Sequence, residues 1–244
     1  GNSSVTPKAH PARLGYLPEE RGLYPDKPIL TSLVYLAALR GIDRQKAEQQ
    51  AMHWLERFSL ADRAKDKVNT LSKGNQQKVQ LIAGVLHEPS LAVLDEPFSG
   101  FDPVNQDLVL GIIRELRDAG MTIVLSAHHM DLVETLADYI LLMHQGRSVL
   151  EGTMAGIRAG AGMGQRLNLT FGGDAPAEAS LAGVPGIEAV LSRTGTSARV
   201  ALSPEARVGP VLHGLTRDMD IVDVDTDTPT LREIYLSTVS GGAA

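Results

Sequence analysis

A chain of 244 residues with 43% apolar content can bury one large core or two smaller ones, while a net charge of -6 and 4% aromatics argue against a broad nucleic-acid surface, which needs clustered positive charge. The absence of cysteine excludes disulfides, thiolate metal sites and thiol nucleophiles, and fits a reducing compartment, the cytoplasm being the simplest. The longest apolar runs, such as YILLM at 139–143, fall far short of the ~18–20 residues of a membrane-spanning helix, so the chain does not cross a bilayer by itself.

In chain order, residues 1–12 carry no initiator Met and no apolar signal core, and are set aside as a disordered segment or cloning remnant. A helical region is predicted over about 28–88: Asp43 can cap a helix whose Ala47, Ala51, Trp54, Leu55 and Phe58 form one apolar face, and Gly41 separates it from an earlier helical piece. The stretch LSKGNQQKVQ, Leu71 to Gln80, opens a further helix that Pro89 stops; a serine, a glycine and a run of amides at its start suit a phosphate. The runs LAVLDEP, MTIVLSA and YILLM read as strands buried on both faces, and the helix from Pro103 to Ala119 makes the first two a parallel crossover unit. MHQGRSVLEG reads as a hairpin turning at Gln145 and Gly146.

The Gly- and Ala-rich stretch 154–165 is predicted to be a flexible linker between a domain at 13–153 and a second at 166–240. In the second, the order of strands and helices suggests a small βαββαβ layer with a closing helix from Leu231.

The chemistry concentrates at strand ends. Asp95 and Glu96 stand at the C-terminal end of a strand, where ligand sites of open α/β sheets gather; one carboxylate can hold Mg²⁺ and the other polarise a water that attacks phosphorus. Taken alone, such a pair is more often a chain leaving its core. About thirty residues on, SAHHM puts His128 at the equivalent edge, where an imidazole can meet a phosphate oxygen. Between them, SGFD makes a tight turn in which Gly100 allows unusual backbone angles and Asp102 caps the next helix.

The ordered set LSKGNQQ, LAVLDEP, SGFD and SAHH resembles the ATP-binding subunit of ABC transporters from about Arg13 to Gly152. The resemblance implies a partial P-loop NTPase fold, α/β with a mostly parallel sheet and a helical subdomain, followed by a small α+β ferredoxin-like domain. It implies ATP and Mg²⁺ as cofactors. It assigns Ser72, Gly74 and Asn75 to the signature motif, Asp95 to Mg²⁺, Glu96 to catalytic-base work, Asp102 to subunit contact and His128 to the switch position, with His129 a bystander. Glu19, in LGYLPEERGLYP, takes the place of the usual glutamine in the loop that senses the metal site and the membrane subunit; a carboxylate there can reach Mg²⁺ through water. Lys73 and Asn75 depart from the common LSGGQ form, whereas Ser72 and Gly74 keep the hydroxyl and bare backbone at the helix start.

The implied partners are a membrane-spanning permease and a second ATP-binding subunit, with the chain peripheral on the inner face of the membrane and no nucleic-acid partner. The PEERGLYP form is similar to exporter ATPases that include drug and sodium efflux systems. The family also carries a G-x-x-x-x-G-K-[ST] phosphate loop, and the 244 residues contain none. The expectation is therefore a fragment of a longer protein, or a shortened protein whose sheet is completed otherwise, inactive by itself. Three classes stay open: an ATPase driving transport, a non-hydrolysing binding or regulatory module, and a soluble relative of the same fold.

Overall fold

The structure is a computed structural model that describes residues 11–20 and 22–241; most of the segment 1–12 set aside above lies outside them. The chain forms two compact units, one ending at His129 and the other beginning at Met130.

The first unit starts with strand β1 (Leu14–Leu17) and then helices α1 (Ile29–Ala38), α2 (Arg44–Arg57) and α3 (Lys73–Val85). Strand β2 (Leu91–Asp95), helix α4 (Pro103–Asp118) and strand β3 (Thr122–Ser126) follow, giving the predicted crossover. Local chemistry sets these boundaries. Asp43 accepts from the backbone N–H groups of Gln45 and Lys46, and Ala47, Ala51, Trp54 and Leu55 make the buried face of α2. Asp102 accepts from Asn105 N–H, with Pro103 in the first turn of α4, and Gly120 beyond its end takes φ +96°.

The three strands form one parallel sheet in the order β1-β2-β3. Helix α3 lies against β1 so closely that a Cβ on Gly15 would stand 2.3 Å from the Gly84 carbonyl oxygen. Leu17, Ala92 and Leu94 are fully buried, but Tyr16 is 52% and Val124 55% exposed on the other face. The expectation of strands buried on both faces is thus corrected within this unit. The strands alternate because the helical layer covers one face, and an unbroken run of apolar residues does not report that difference.

The second unit comprises α5 (Met130–Leu136), the antiparallel pair β4 (Ile140–His144) and β5 (Arg147–Gly152), and α6 (Met154–Gly160). Beyond these come β6 (Arg166–Phe171), α7 (Glu178–Ala182), β7 (Ile187–Thr194), β8 (Ser197–Leu202), α8 (Val208–Asp218), β9 (Ile221–Asp227) and α9 (Leu231–Gly241). Gln145 and Gly146, both at positive φ, turn the hairpin as expected.

Where a flexible linker was predicted, α6 occupies the first half of 154–165. The Thr153 hydroxyl oxygen accepts from Gly156 N–H at 3.1 Å, and Ile157 is buried with Ile140, Leu231 and Ile234. A cap and one apolar anchor override the low helix propensity of the glycines. The same cluster places the hairpin and α6 in the second unit, ahead of the boundary read from composition. The four-stranded sheet, order β7-β8-β6-β9 and antiparallel throughout, has the predicted βαββαβ ferredoxin-like topology. Leu167, Leu169, Val200 and Leu202 pack beneath Leu181, Val211 and Leu215. No helix among the described residues is long and apolar enough to cross a membrane.

Candidate active site

Parallel register assembles the site. Leu17 pairs with Leu94 and Asp95 with Ser126, so the segments leaving β1, β2 and β3, which carry Glu19, Glu96 and His128, depart from one edge of the sheet.

At that edge the Ser126 hydroxyl donates to Asp95 Oδ1. His128 Nδ1 and Glu96 Oε2 are 2.7 Å apart, with the Glu96 side chain 18% exposed and that of His128 64% exposed. A half-sunk carboxylate therefore receives its hydrogen bond from an imidazole that remains in the open. With Nδ1–H donating, the neutral ring keeps its Nε2 lone pair for a further partner. The His129 ring lies 4.2 Å from that of His128, centroid to centroid.

Glu96 holds an unusual backbone. Its φ of +48° falls in the left-handed region, which costs a non-glycine residue on the order of 1 kcal/mol. Neighbouring groups fix it there: Glu96 N–H donates to the Ser126 carbonyl at 3.2 Å, and the Glu96 carbonyl accepts from Ser99 N–H at 3.1 Å and Gln77 Nε2 at 3.4 Å. Such an over-determined conformation aims a side chain.

A second group gathers at the start of α3. Ser72 caps it, its Oγ accepting from Asn75 N–H at 3.3 Å. A Cβ on Gly74 would sit 3.4 Å from the Gly100 carbonyl oxygen and 3.5 Å from the Phe101 ring, in ordinary contact, so the start of α3 lies against the 99–102 turn. Asp102 closes that turn on Asn105, whose backbone and side-chain N–H groups hold the carboxyl below its ordinary range. Lys78 of α3 is buried; desolvation lowers its pKa, and the attraction of Asp102 opposes the change.

The structure thus unites Asp95, Glu96 and His128 at the sheet edge, and Ser72, Gly74 and Asn75 near Asp102 at a helix start. Among the described residues no hydrogen bond joins Ser72 to the carboxylate pair or to His128. Glu19 is exposed in the loop after β1. Sequence reasoning missed Ser126, Gln77 and Gln80. The signal for the glutamines was present in the run of amides, which falls on a buried helix; three-dimensional partners were needed to show that they serve backbone carbonyls.

The donors fit Mg²⁺, which takes one or two carboxylates and fills its remaining positions with water and phosphate oxygens. Ser126 occupies one oxygen of Asp95 and leaves Oδ2 for another partner. The residues present fit the terminal-phosphate end of a nucleotide.

Comparison with known proteins gives a consistent family. The family model for ABC transporter matches residues 2–99. The uncharacterized ABC transporter ATP-binding protein YhaQ of Bacillus subtilis (strain 168) is 44% identical over 162 residues, 66% of this chain and 53% of that protein. The chain therefore spans about half the length of YhaQ. The uncharacterized ABC transporter ATP-binding protein BpOF4_11395 of Alkalihalophilus pseudofirmus is 34% identical over 226 residues, 93% of this chain and 83% of that protein. A solved structure of the ATP-binding subunit of an ABC transporter superposes with a TM-score of 0.58 at 31% identity, covering 62% of this chain and 63% of that one. With such identity over most of a relative's length, and with the parallel sheet and its polar edge in place, the chain belongs to the family of ABC transporter ATP-binding proteins.

Proposed function

We propose that the chain forms part of an ATP-hydrolysing subunit that drives export through a membrane permease. The observation that supports this reading best is the 2.7 Å bond between Glu96 and His128 beside Asp95, at the C-terminal edge of a parallel sheet. Glu96 accepts a proton from the attacking water, and the fixed backbone at Glu96 aims its carboxylate. In its protonated form His128 would orient that carboxylate through Nδ1–H and donate its Nε2–H to a terminal phosphate oxygen. Asp95 and Glu19 are the residues that would hold Mg²⁺. When bound, Mg²⁺ draws charge from the phosphates of ATP and eases displacement at the terminal phosphorus.

On this reading the phosphates are gripped by a loop outside these 244 residues, so the chain by itself binds Mg-ATP weakly or undetectably; micromolar affinity by calorimetry would contradict that. Two subunits close face to face, and Ser72, Gly74 and Asn75 of one meet the nucleotide held by the other, with Asp102 at the contact between them. The permease docks by the helical region and the loop around Tyr24, which puts the protein on the inner face of the membrane. Export follows from the similarity of PEERGLYP to exporter ATPases, and the ferredoxin-like layer is an accessory element in assembly or coupling.

Glu96→Gln in the full-length protein is expected to keep ATP binding and slow turnover by about 10²-fold or more. Turnover near that of the unmodified protein would move the base elsewhere and overturn the assignment.

A further inference from the structure

The amides that follow the helix start have a use of their own. Gln80 is 3% exposed, and its Nε2 donates at 2.9 Å to the carbonyl of Pro18 and at 2.9 Å to that of Glu20. One side-chain amide therefore bridges the backbone on both sides of Glu19. The Gln80 Oε1 is buried and has no hydrogen-bond partner among the described residues, so toward the Pro18 and Glu20 carbonyls the residue acts as a donor.

Two further contacts hold α3 in register with β1. Four residues on, a Cβ on Gly84 would stand 3.3 Å from the Tyr16 carbonyl oxygen, and one on Gly15 would collide with Gly84 itself. Three residues later, just past the helix end, His87 Nε2 donates to the Leu14 carbonyl at 3.0 Å, and Arg40 donates to the same oxygen. Positions 80, 84 and 87 lie along one helical face and meet β1 and its continuation in antiparallel order, at residues 18–20, 15–16 and 14. Helix and strand cannot slide past each other here. Ser72 lies eight residues before Gln80 on the same rod, about 12 Å along its axis.

We infer that Gln80 is a positioning residue that locks the Glu19 loop to the helix carrying Ser72, so that the two move as one body. The functional half of this inference rests on the proposed role of Glu19 at Mg²⁺; the structural half does not. A displacement of the Ser72 end by a partner subunit then carries the Glu19 loop with it, and Gln77, one turn before Gln80, holds the Glu96 carbonyl on the same helix. A single helix thus indexes the metal-side loop and the catalytic carboxylate together.

The test uses full-length protein with Gln80→Met, which keeps volume and removes the donors, and Gln80→Glu, which sets a carboxylate against two carbonyl oxygens. Gln80→Ala is the second, smaller variant; it enlarges an existing cavity of about 320 Å³ lined by Leu23, Pro25, Val68, Asn69, Gln76 and Gln80. Without nucleotide, amide hydrogen exchange over 19–24 is expected to accelerate by about tenfold or more in all three, most in Gln80→Glu, while protection within α3 is retained. With Mg-ATP, Gln80→Met is expected to raise the Mg²⁺ concentration for half-maximal hydrolysis by about threefold or more, with kcat at saturating Mg²⁺ little changed.

Unchanged exchange over 19–24 overturns the lock. Faster exchange with an unaltered Mg²⁺ requirement overturns the positioning role and leaves a structural contact. Absence of hydrolysis in the unmodified protein would instead refute the proposed function, with exchange still deciding the lock.

Discussion

The edge of the three-stranded sheet and the four-stranded sheet of the second unit treat polar groups in opposite ways. At the first, Glu96 sits at positive φ, Asp95 keeps an oxygen with no hydrogen bond among the described residues, and the His128 ring stands mostly in the open. At the second, Arg166 pairs with Glu233, and Arg199 pairs with Asp227 and approaches Glu233, so strand charges are neutralised by neighbours at the foot of α9. The difference separates a region built to receive something from one built to hold itself together. A maintained backbone strain and an exposed imidazole accompany the former; ion pairs accompany the latter, although Arg199 Nε and Asp227 Oδ1 are buried there without a hydrogen bond among the described residues.

The largest expected effect sharpens that contrast. If Ser72 meets the partner's nucleotide as proposed, Ser72→Arg in the full-length protein should abolish ATP-driven dimerisation and turnover while leaving the ATP affinity of the monomer nearly unchanged, because a long cation would replace that hydroxyl. Light scattering and nucleotide titration measure the two separately. An equal loss of monomer affinity in a folded variant would mean that Ser72 serves its own subunit. Arg166→Met, by contrast, should lower the stability of the second unit and leave turnover within about twofold, as expected for a residue outside the catalytic constellation. A large loss of turnover in a folded Arg166→Met protein would break the comparison.

Next in size is a packing effect confined to the first unit. Gly15→Ala forces a methyl carbon against the Gly84 carbonyl oxygen and Pro89, with no room on either side. A cost of about 1–3 kcal/mol or more is expected for such overpacking. Trp54 is the only tryptophan and is buried in the first unit, so its fluorescence reports that unit alone during denaturant unfolding. A midpoint within error of the unmodified protein would show that helix and strand are free to part.

The sequence carried much of the fold because its punctuation acts locally. Asp43, Asp102 and Ser72 cap the helices they precede, and Gln145 with Gly146 turns the hairpin, since each needs only neighbours within a few residues. Strands β2, β3 and β4 were equally legible as apolar runs, whereas β1, four residues with a glycine, was not read as a strand. One-sided burial was not legible, because exposure of Tyr16 and Val124 depends on which faces the helices cover. Residues 154–165 misled for a related reason: Ile157 earns a helix through contact with Leu231 and Ile234, some seventy-five residues away.

At the candidate site, Asp95, Glu96 and His128 were visible as strand-end residues, but the supporting groups were not. Gln77 and Gln80 touch carbonyls that are distant in sequence, and Ser126 gains its role only when parallel pairing sets it beside Asp95. Nothing in the spacing of a serine along one strand announces its partner on the next.

A cap tests the smaller correction. Thr153→Ala removes the oxygen that accepts from Gly156 N–H, and should cost about 1 kcal/mol while fraying α6. Hydrogen exchange over 154–160 reads this directly. Exchange already at the unprotected rate in the unmodified protein would restore the linker reading.

The smallest effects separate the two units by pH. His87 is held below its ordinary value of 6.5, chiefly by burial and further by the charge of Arg40, with the hydrogen bond to the Leu14 carbonyl opposing both. The unfolded chain therefore takes up a proton near pH 6.5 that the folded first unit refuses. Stability from the neutral ring is complete above that value and is lost as pH falls through the folded pKa. Glu233 behaves alike in a lower window. Burial raises its pKa, yet hydrogen bonds from Thr230 and Arg166 and the charge of Arg166 outweigh burial and hold it below its ordinary 4.5. Its contribution is complete above 4.5 and fades only as pH falls through the depressed value. Acidification from pH 7 should thus weaken the Trp54-reported transition first, with the second unit responding to Glu233 only below 4.5. His87→Gln, which keeps a donor for the Leu14 carbonyl, should flatten the first response, and Glu233→Gln the second. A Trp54 transition whose pH dependence between 7 and 5 survives His87→Gln would place that titration on another group and break the assignment of the seam between α3 and β1.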